Sequence, residues 1–228
     1  MKNLKNIDKN ISVYHFTKKE NIESIFQNGL IHGTNYNTLG SPLRKGANYF
    51  WLSPAHDLMG YKGNDEYICL KVTIDTDFCI IGNIDLISSA FYNYVMEKQG
   101  RPLYNYSTLV KLFDTTAVSY SSYKIGHFRA PEVIVQHEIS PEHIEIATFS
   151  EGFDSFADNY KVYYDNLKSK LSTLTNNSFS DLRSLVHELE ESSKIKMVAL
   201  HDDSFGMLNS YIISDTNEFF TVEQNYHK

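Results

Sequence analysis

Three short segments and one loop carry the residue types that could do chemistry. Val13-Tyr14-His15-Phe16-Thr17 sets an imidazole inside a run of β-branched and aromatic residues. Gly46-Ala47-Asn48-Tyr49-Phe50-Trp51-Leu52-Ser53-Pro54 follows the cations Arg44 and Lys45, and Tyr61 comes twelve residues after Tyr49. Ala130-Pro131-Glu132-Val133-Ile134-Val135 puts a carboxylate at the head of an apolar run. The stretch before that Glu holds Tyr120, Ser121, Ser122, Tyr123, Lys124, His127, Phe128 and Arg129. Aromatic rings mixed with cations suit stacking on an unpaired base and contact with phosphate. A carboxylate can oppose a developing positive charge or take a proton. Each segment alone also has an ordinary reading. His15 is then a half-buried strand residue, the Tyr49 segment a core strand, Glu132 a solvated edge residue, and the Tyr/Ser-rich loop plain surface.

Competing motifs are missing. No G-x-G-x-x-G follows a strand, and there is no phosphate-binding P-loop. Neither H-E-x-x-H nor G-x-S-x-G occurs. His201-Asp202-Asp203 reads as an Asp-rich turn before it reads as a metal site. Glu188 to Glu191 reads as a solvated helix face. Cys69 and Cys79 have no His or Cys at ligand spacing and read as two buried structural thiols; no metal is expected.

The elements that must position these residues follow from hydrophobic period and turn chemistry. Ile11–Thr17 reads as a strand. Lys18–Asn28 reads as an amphipathic helix through Ile22, Ile25 and Phe26, with Thr17 as N-cap, Glu20 completing a capping box and Gly29 ending it. Leu30–Gly46 is a loop, and Ala47–Ser53 a strand with a short helix after Pro54. Glu66–Ile74 is a strand, and Leu86–Lys98 and Tyr104–Phe113 are helices. Pro131–Glu138 and His143–Phe149 are strands on the far side of the 118–130 loop. Asp154–Leu174 and Ser180–Ser193 then read as helices. Ile195–His201, Met207–Ser214 and Glu218–Gln224 read as a three-strand meander. A soft boundary falls near Glu151–Ser155, giving domains of 1–150 and 151–228.

The chain has 228 residues, of which 42% are hydrophobic and 14% aromatic, so it can bury a core and is not disordered. Two Cys exclude a disulfide scaffold. Met1–Asn10 lacks an apolar signal region, and no window is apolar enough for a membrane helix, so a soluble, cytoplasmic protein with no membrane partner is expected.

Taken together and in order, the YHFT…GL opening, the YFWLSP strand and the late A-x-E-V-I-V…I-x-P-x-x-I strand resemble the ADP-ribosyltransferase superfamily of His–Tyr–Glu type. Within it they are most similar to the DarT-like DNA ADP-ribosyltransferases. The resemblance runs from about Ile11 to Ile146 and does not reach 151–228. It departs after the second strand, at His56-Asp57-Leu58-Met59. It implies an α+β fold, with an ADP-ribosyltransferase-like core of two small packed sheets and flanking helices, here followed by a C-terminal α/β appendage. It implies NAD+ as co-substrate and Glu132, His15, Tyr49 and Arg44 as the catalytic set. His15, Thr17, Gly29, Arg44, Tyr49 and Tyr61 would contact NAD+. His15 would bond the adenosine ribose, Tyr49 would lie beside the nicotinamide ribose, and Tyr61 would stack on the nicotinamide ring. Tyr120, Tyr123, Lys124, His127, Phe128 and Arg129 would form the loop that presents the acceptor.

The chemistry fits such a set. Breaking the N-glycosidic bond of NAD+ builds positive charge on the ribose, and a carboxylate there lowers that state selectively. Arg44 and Lys45 suit the pyrophosphate. The acceptor expected is a nucleobase in DNA or RNA, single-stranded or flipped out. A protein acceptor, and a binding module without turnover, stay open. The family analogy adds a toxin or phage-conflict role, with an antitoxin or other protein as a further partner. Residues 151–228 are open between a recognition module, a lid and an oligomerisation element.

The net charge of −7 is uneven. Residues 1–63 carry 8 Lys+Arg and 4 Asp+Glu, residues 64–150 carry 6 and 11, and residues 151–228 carry 7 and 13. The basic excess falls on the segment with His15, Arg44 and Tyr49. Any nucleic acid would therefore be met by a local basic path rather than by the field of the whole protein.

Overall fold

The computed structural model describes residues 9–31, 38–54, 57, 59–147, 153–204 and 206–224. In chain order the elements are β1 (Asn10–Lys18), α1 (Ile22–Asn28), β2 (Asn48–Trp51), β3 (Tyr67–Asp75), β4 (Ile80–Asn83), α2 (Ile84–Glu97), α3 (Tyr106–Thr116), β5 (Val118–Ser119), β6 (Pro131–Val135), β7 (Ile144–Ile146), α4 (Phe153–Ser172), α5 (Leu182–Glu191), β8 (Ile195–Asp203), β9 (Gly206–Ile213) and β10 (Phe219–Glu223). The protein is thus α+β, with two antiparallel sheets of seven and three strands among the described residues.

The chain forms two compact units. One comprises Met1–Gly82, Ala117–Tyr123 and Pro131–Phe156; the other comprises Asn83–Thr116, Lys124–Ala130 and Ala157–Lys228. They do not divide at a single point near residue 150. The helices over 84–116, which the sequence assigns to the first domain, cluster with the C-terminal elements. Buried side-chain bonds make the connection. Ser89 Oγ on α2 donates to Ser210 Oγ on β9 at 2.9 Å, and Asn93 Nδ2 donates to the Val198 carbonyl at 2.8 Å. Composition marks linkers, but it does not report partners 105 or 121 positions away.

The first unit is built on one continuous sheet ordered β5-β4-β6-β2-β1-β3-β7, in place of two small sheets. β1 lies between β2 and β3. It pairs over its whole length with β3, from Asn10↔Asp75 to Lys18↔Tyr67. β2 and β6 pair from Asn48↔Val135 to Trp51↔Glu132. All five residues of β6 are buried, as a strand covered on both faces requires. β4 is absent from the sequence reading. Its four residues end in Gly and Asn, types depleted in strands. Asn83 in fact serves the next element, accepting the Asp85 N–H as N-cap of α2.

The expected helix after β1 starts late. Lys19–Asn21 is a 3-10 turn, α1 begins at Ile22, and no side chain caps it. Thr17 is therefore not an N-cap; it is a buried β1 residue whose hydroxyl accepts from Asn21 Nδ2 at 3.3 Å. Gly29 does end the helix, at φ +79°. The short helix expected after Pro54 lies largely outside the described residues.

In the second unit β10, β9 and β8 form the expected meander. α4 and α5 bury Tyr163, Tyr164, Leu167, Leu171, Leu182, Leu185 and Leu189 against Ile195, Tyr211, Ile213 and Phe220. Leu182, Leu185, Val186 and Leu189 follow the i, i+3, i+4, i+7 stripe of a helix with one buried face. Among the described residues no helix is long and apolar enough to cross a membrane.

Candidate active site

The site follows from strand register. Trp51 on β2 faces Tyr14 on β1 and Glu132 on β6. Side chains alternate along a strand, so Tyr49, two positions before Trp51, shares this face with Glu132, Tyr14 and Phe16. Glu132 is 3% exposed. A carboxylate at that depth must be paired or neutral.

It is paired. Arg44, itself buried, donates from Nη1 to Glu132 Oε2. The guanidinium also lies over the Tyr49 ring, 4.1 Å from its centroid, as a cation over an aromatic face. The Tyr49 hydroxyl donates to the Arg44 carbonyl. Arg44, Tyr49 and Glu132 are thus one contact cluster drawn from a loop and two neighbouring strands. Burial pushes the Glu132 carboxyl up from its ordinary value, and the Arg44 charge and hydrogen bond oppose that. Burial also raises the Tyr49 phenol; Arg44 pulls it down and Glu132 pushes it up.

His15 is not part of this cluster. It follows Tyr14 on β1, so alternation turns its ring to the other face of the sheet. There it tilts against Phe50, with centroids 5.7 Å apart. Its Nδ1 lies 2.9 Å from the Tyr49 carbonyl, so an Nδ1–H tautomer donates to β2. Burial holds the imidazole below its ordinary pKa, and the backbone bond partly offsets this. Thr17 lies two positions further along the same strand.

Tyr61 stacks on Tyr67, with centroids 4.5 Å apart and planes at 28°, and tilts toward Phe16 at 6.0 Å. Phe16 and Tyr67 belong to the Glu132 face by the β1–β3 register. The Lys62 N–H donates to Asp57 Oδ2 at 2.6 Å and fixes the turn that carries Tyr61.

Gly29 meets the Ile139 backbone closely. A Cβ there would stand 2.0 Å from the Ile139 carbonyl oxygen. Gly is required because the backbones meet, with Leu30 and Ile139 exchanging N–H···O bonds of 2.9 and 3.0 Å.

The acceptor loop divides in two. Tyr120 and Tyr123 are half-buried, and burial raises both phenols, Tyr123 the further. Lys124 and His127 are exposed, with the His127 ring stacked on Phe128 at 4.4 Å. Phe128 is buried, and Arg129 is 1% exposed. Arg129 Nε and Nη2 donate to Asp85 at 2.9 and 2.6 Å, Nη2 also to Asp203 Oδ2 at 2.9 Å, and Glu223 Oε1 is 3.7 Å from Nη1. The expectation that Arg129 meets a phosphate is therefore corrected. Three carboxylates enclose it in the second unit. Asp202 and Asp203, read as turn residues, belong to the β8 strand, which runs on to Asp203.

Cys69 and Cys79 are free, buried thiols, and burial pushes both up to about 12.

Trp51, Ser41 and Gln136 belong to the site's surroundings and were not singled out from sequence. Trp51 could have been, since it follows Tyr49 at i+2 in the strand that faces Glu132. Ser41 and Gln136 carry no local signal, because their partners are set by the loop's path. No protein-family model matches the chain, and no curated protein matches it significantly.

Proposed function

We propose that the chain is an NAD+-dependent mono-ADP-ribosyltransferase of His–Tyr–Glu type, similar to the DarT-like enzymes. The observation that carries this reading is the buried Arg44–Glu132 pair, with the guanidinium over the Tyr49 ring; Tyr49 and Glu132 come from segments that carry the family resemblance. In the proposed reaction the bond from ribose C1′ to the nicotinamide nitrogen breaks, and nicotinamide leaves with the bonding pair. An acceptor nitrogen attacks C1′ and gives up its proton. Glu132 accepts a hydrogen bond from the ribose 2′-OH, opposes the positive charge on the ribose, and can take the acceptor's proton. Arg44 favours the ionised carboxylate in a place where burial favours the protonated one. Lys45, exposed beside it, is the available pyrophosphate cation. Tyr61, stacked on Tyr67, is the ring that the resemblance sets against nicotinamide. His15 lies on the opposite face of the sheet from this cluster, packed against Phe50, so its contact with the adenosine ribose rests on the resemblance alone.

The acceptor proposed is a nucleobase of DNA or RNA, presented by the loop before Glu132 as the resemblance implies. The burial of Arg129 and Phe128 removes two of the six expected contacts and gives some weight to a protein acceptor. A toxin or phage-conflict role in the cytoplasm, with a protein antitoxin, is the biological setting that the resemblance suggests. The test is incubation of purified protein with labelled NAD+ and, separately, single-stranded DNA, duplex DNA, RNA and lysate protein. Label on nucleic acid supports the reading, and label on protein transfers it to the alternative acceptor. No NAD+ consumption with any acceptor overturns it in favour of a binding module.

A further inference from the structure

We propose that Gln136 is a positioning residue for Glu132: its amide clamps the loop that carries Arg44, and so holds the guanidinium on the carboxylate. The catalytic consequence of this clamp rests on the transferase reading; the clamp itself does not.

Gln136 is exposed and directly follows β6, four positions after Glu132. Its Nε2 lies 3.3 Å from the Pro42 carbonyl and 3.2 Å from the Leu43 carbonyl. One amide nitrogen carries two N–H donors, so both carbonyls can be served at once. These are the two residues before Arg44. The Arg44 N–H in turn donates to Ser41 Oγ at 3.3 Å, and the Arg44 carbonyl accepts from Tyr49. The backbone from Pro42 to Arg44 is thus tied by side chains of β2, of the β6 end and of the loop itself.

The flanks of this loop need such ties. Leu39, Gly40 and Gly46 have φ of 48°, 91° and 65°. No atom lies within 4 Å of where a Cβ would stand on Gly40 or Gly46. Within these flanks Ser41 and Arg44 are buried, and so is Ala47 just beyond Gly46. Glu132 on β6 and Gln136 just after it hold the stretch between them at two places. Glu132 takes the guanidinium and Gln136 takes the backbone. Arg44 from the loop and Tyr49 from β2 are the ionisable groups coupled to Glu132. Of these only Arg44 favours the ionised carboxylate, so a loosened loop lets the carboxyl titrate at higher pH.

The test compares wild type with Gln136→Met, which keeps length and removes both donors, and Gln136→Lys, which restores donors. Glu132 titration is followed by the 13C resonance of its carboxyl, alongside kcat/KM for NAD+ turnover against pH. In Gln136→Met the carboxyl should titrate at higher pH, kcat/KM should fall about tenfold or more, and the acidic limb of the profile should move upward. Gln136→Lys should return the titration toward wild type. Thermal unfolding should change little beyond what the Glu132 shift itself carries, because Gln136 is a surface residue. A Gln136→Met protein whose Glu132 titrates as in wild type overturns the clamp. If wild type consumes no NAD+, the transferase reading fails, and the titration still decides the role of Gln136.

Discussion

Arg44 and Glu132, 88 positions apart in the chain, form a buried ion pair in which the guanidinium donates directly to the carboxylate. Neither group has enough water around it to be solvated alone. Removing one partner leaves an uncompensated buried charge, which costs about 3–5 kcal/mol, whereas replacing both by apolar groups can be close to neutral. Arg44→Met should therefore destabilise the protein by about 3 kcal/mol or more, and the Arg44→Met/Glu132→Leu double variant should recover most of that loss. Denaturant unfolding of the four proteins of this cycle measures the coupling. Single and double variants that simply add would show that the pair does not act as a unit.

Glu132→Gln tests the chemistry on protein first shown to be folded, because it leaves the buried Arg44 charge uncompensated. The amide can still accept a bond from Arg44, but it carries no charge to oppose a positive ribose. On the transferase reading proposed above, NAD+ turnover should fall by about 10³-fold or more, equivalent to roughly 4 kcal/mol of barrier. Quantified nicotinamide release checks this, and a variant within tenfold of wild type would remove Glu132 from the reaction.

Much of the fold was legible because its signals are local. The β-branched and aromatic run of β1, the stripe Leu182, Leu185, Val186 and Leu189, and the turns of the C-terminal meander each declare themselves within a few residues. The Tyr49 and Glu132 segments were legible as strands for the same reason. What escaped is set by distant partners. Arg129 looks like a loop cation until Asp85 and Asp203 are brought to it, 44 and 74 positions away in the chain. His15 counts with Glu132 in one catalytic set until the register assigns it to the other face. Thr17 looks like a helix cap, but pairing with Ile68 on β3 keeps it in the strand.

Gly29 and Gly40 both have positive φ, but their surroundings differ. At Gly29 a Cβ would meet the Ile139 carbonyl at 2.0 Å, while at Gly40 it would meet nothing within 4 Å. Gly40→Ala should cost only the left-handed backbone penalty, about 1–2 kcal/mol. Gly29→Ala must also push apart the Leu30–Ile139 contact and should cost clearly more. Chemical denaturation of the two variants compares them directly, and equal losses would mean that the backbone contact yields freely.

His201 holds both ring nitrogens buried without a hydrogen-bond partner among the described residues. Burial holds its pKa below 6.5; Asp85, Asp203 and Asp202 raise it, and Arg129 lowers it. The unfolded chain therefore binds the proton more readily than the folded one, and stability falls as pH drops below about 6.5. His201→Leu removes both the orphaned nitrogens and this titration. It should be at least as stable as wild type at pH 7, and should lose less stability between pH 7 and 5. His15 and His127 are also held low by burial, so part of the acid sensitivity remains. Melting temperature against pH tests this, and unchanged acid sensitivity in the variant would exonerate His201.

Arg129 decides between two roles. As a phosphate contact, its loss would leave the fold intact, weaken nucleic-acid binding and reduce the salt slope by about one. As the centre of a carboxylate cage it is structural. Asp85, Asp203 and Glu223 lie around a guanidinium that is 1% exposed, and the Asp85 bond is bidentate. Lys cannot reproduce that fork, and Met leaves Asp85 buried without its cation. Arg129→Met should therefore cost about 3–5 kcal/mol, and Arg129→Lys a large part of that. For a chain of this length each kcal/mol lowers the melting temperature by about 2–4 °C, so the Met variant should melt roughly 6–20 °C lower. The Lys124→Ala variant, at an exposed position of the same loop, should melt as wild type does. A stable Arg129→Met protein with a reduced salt slope would restore the phosphate role and refute the cage.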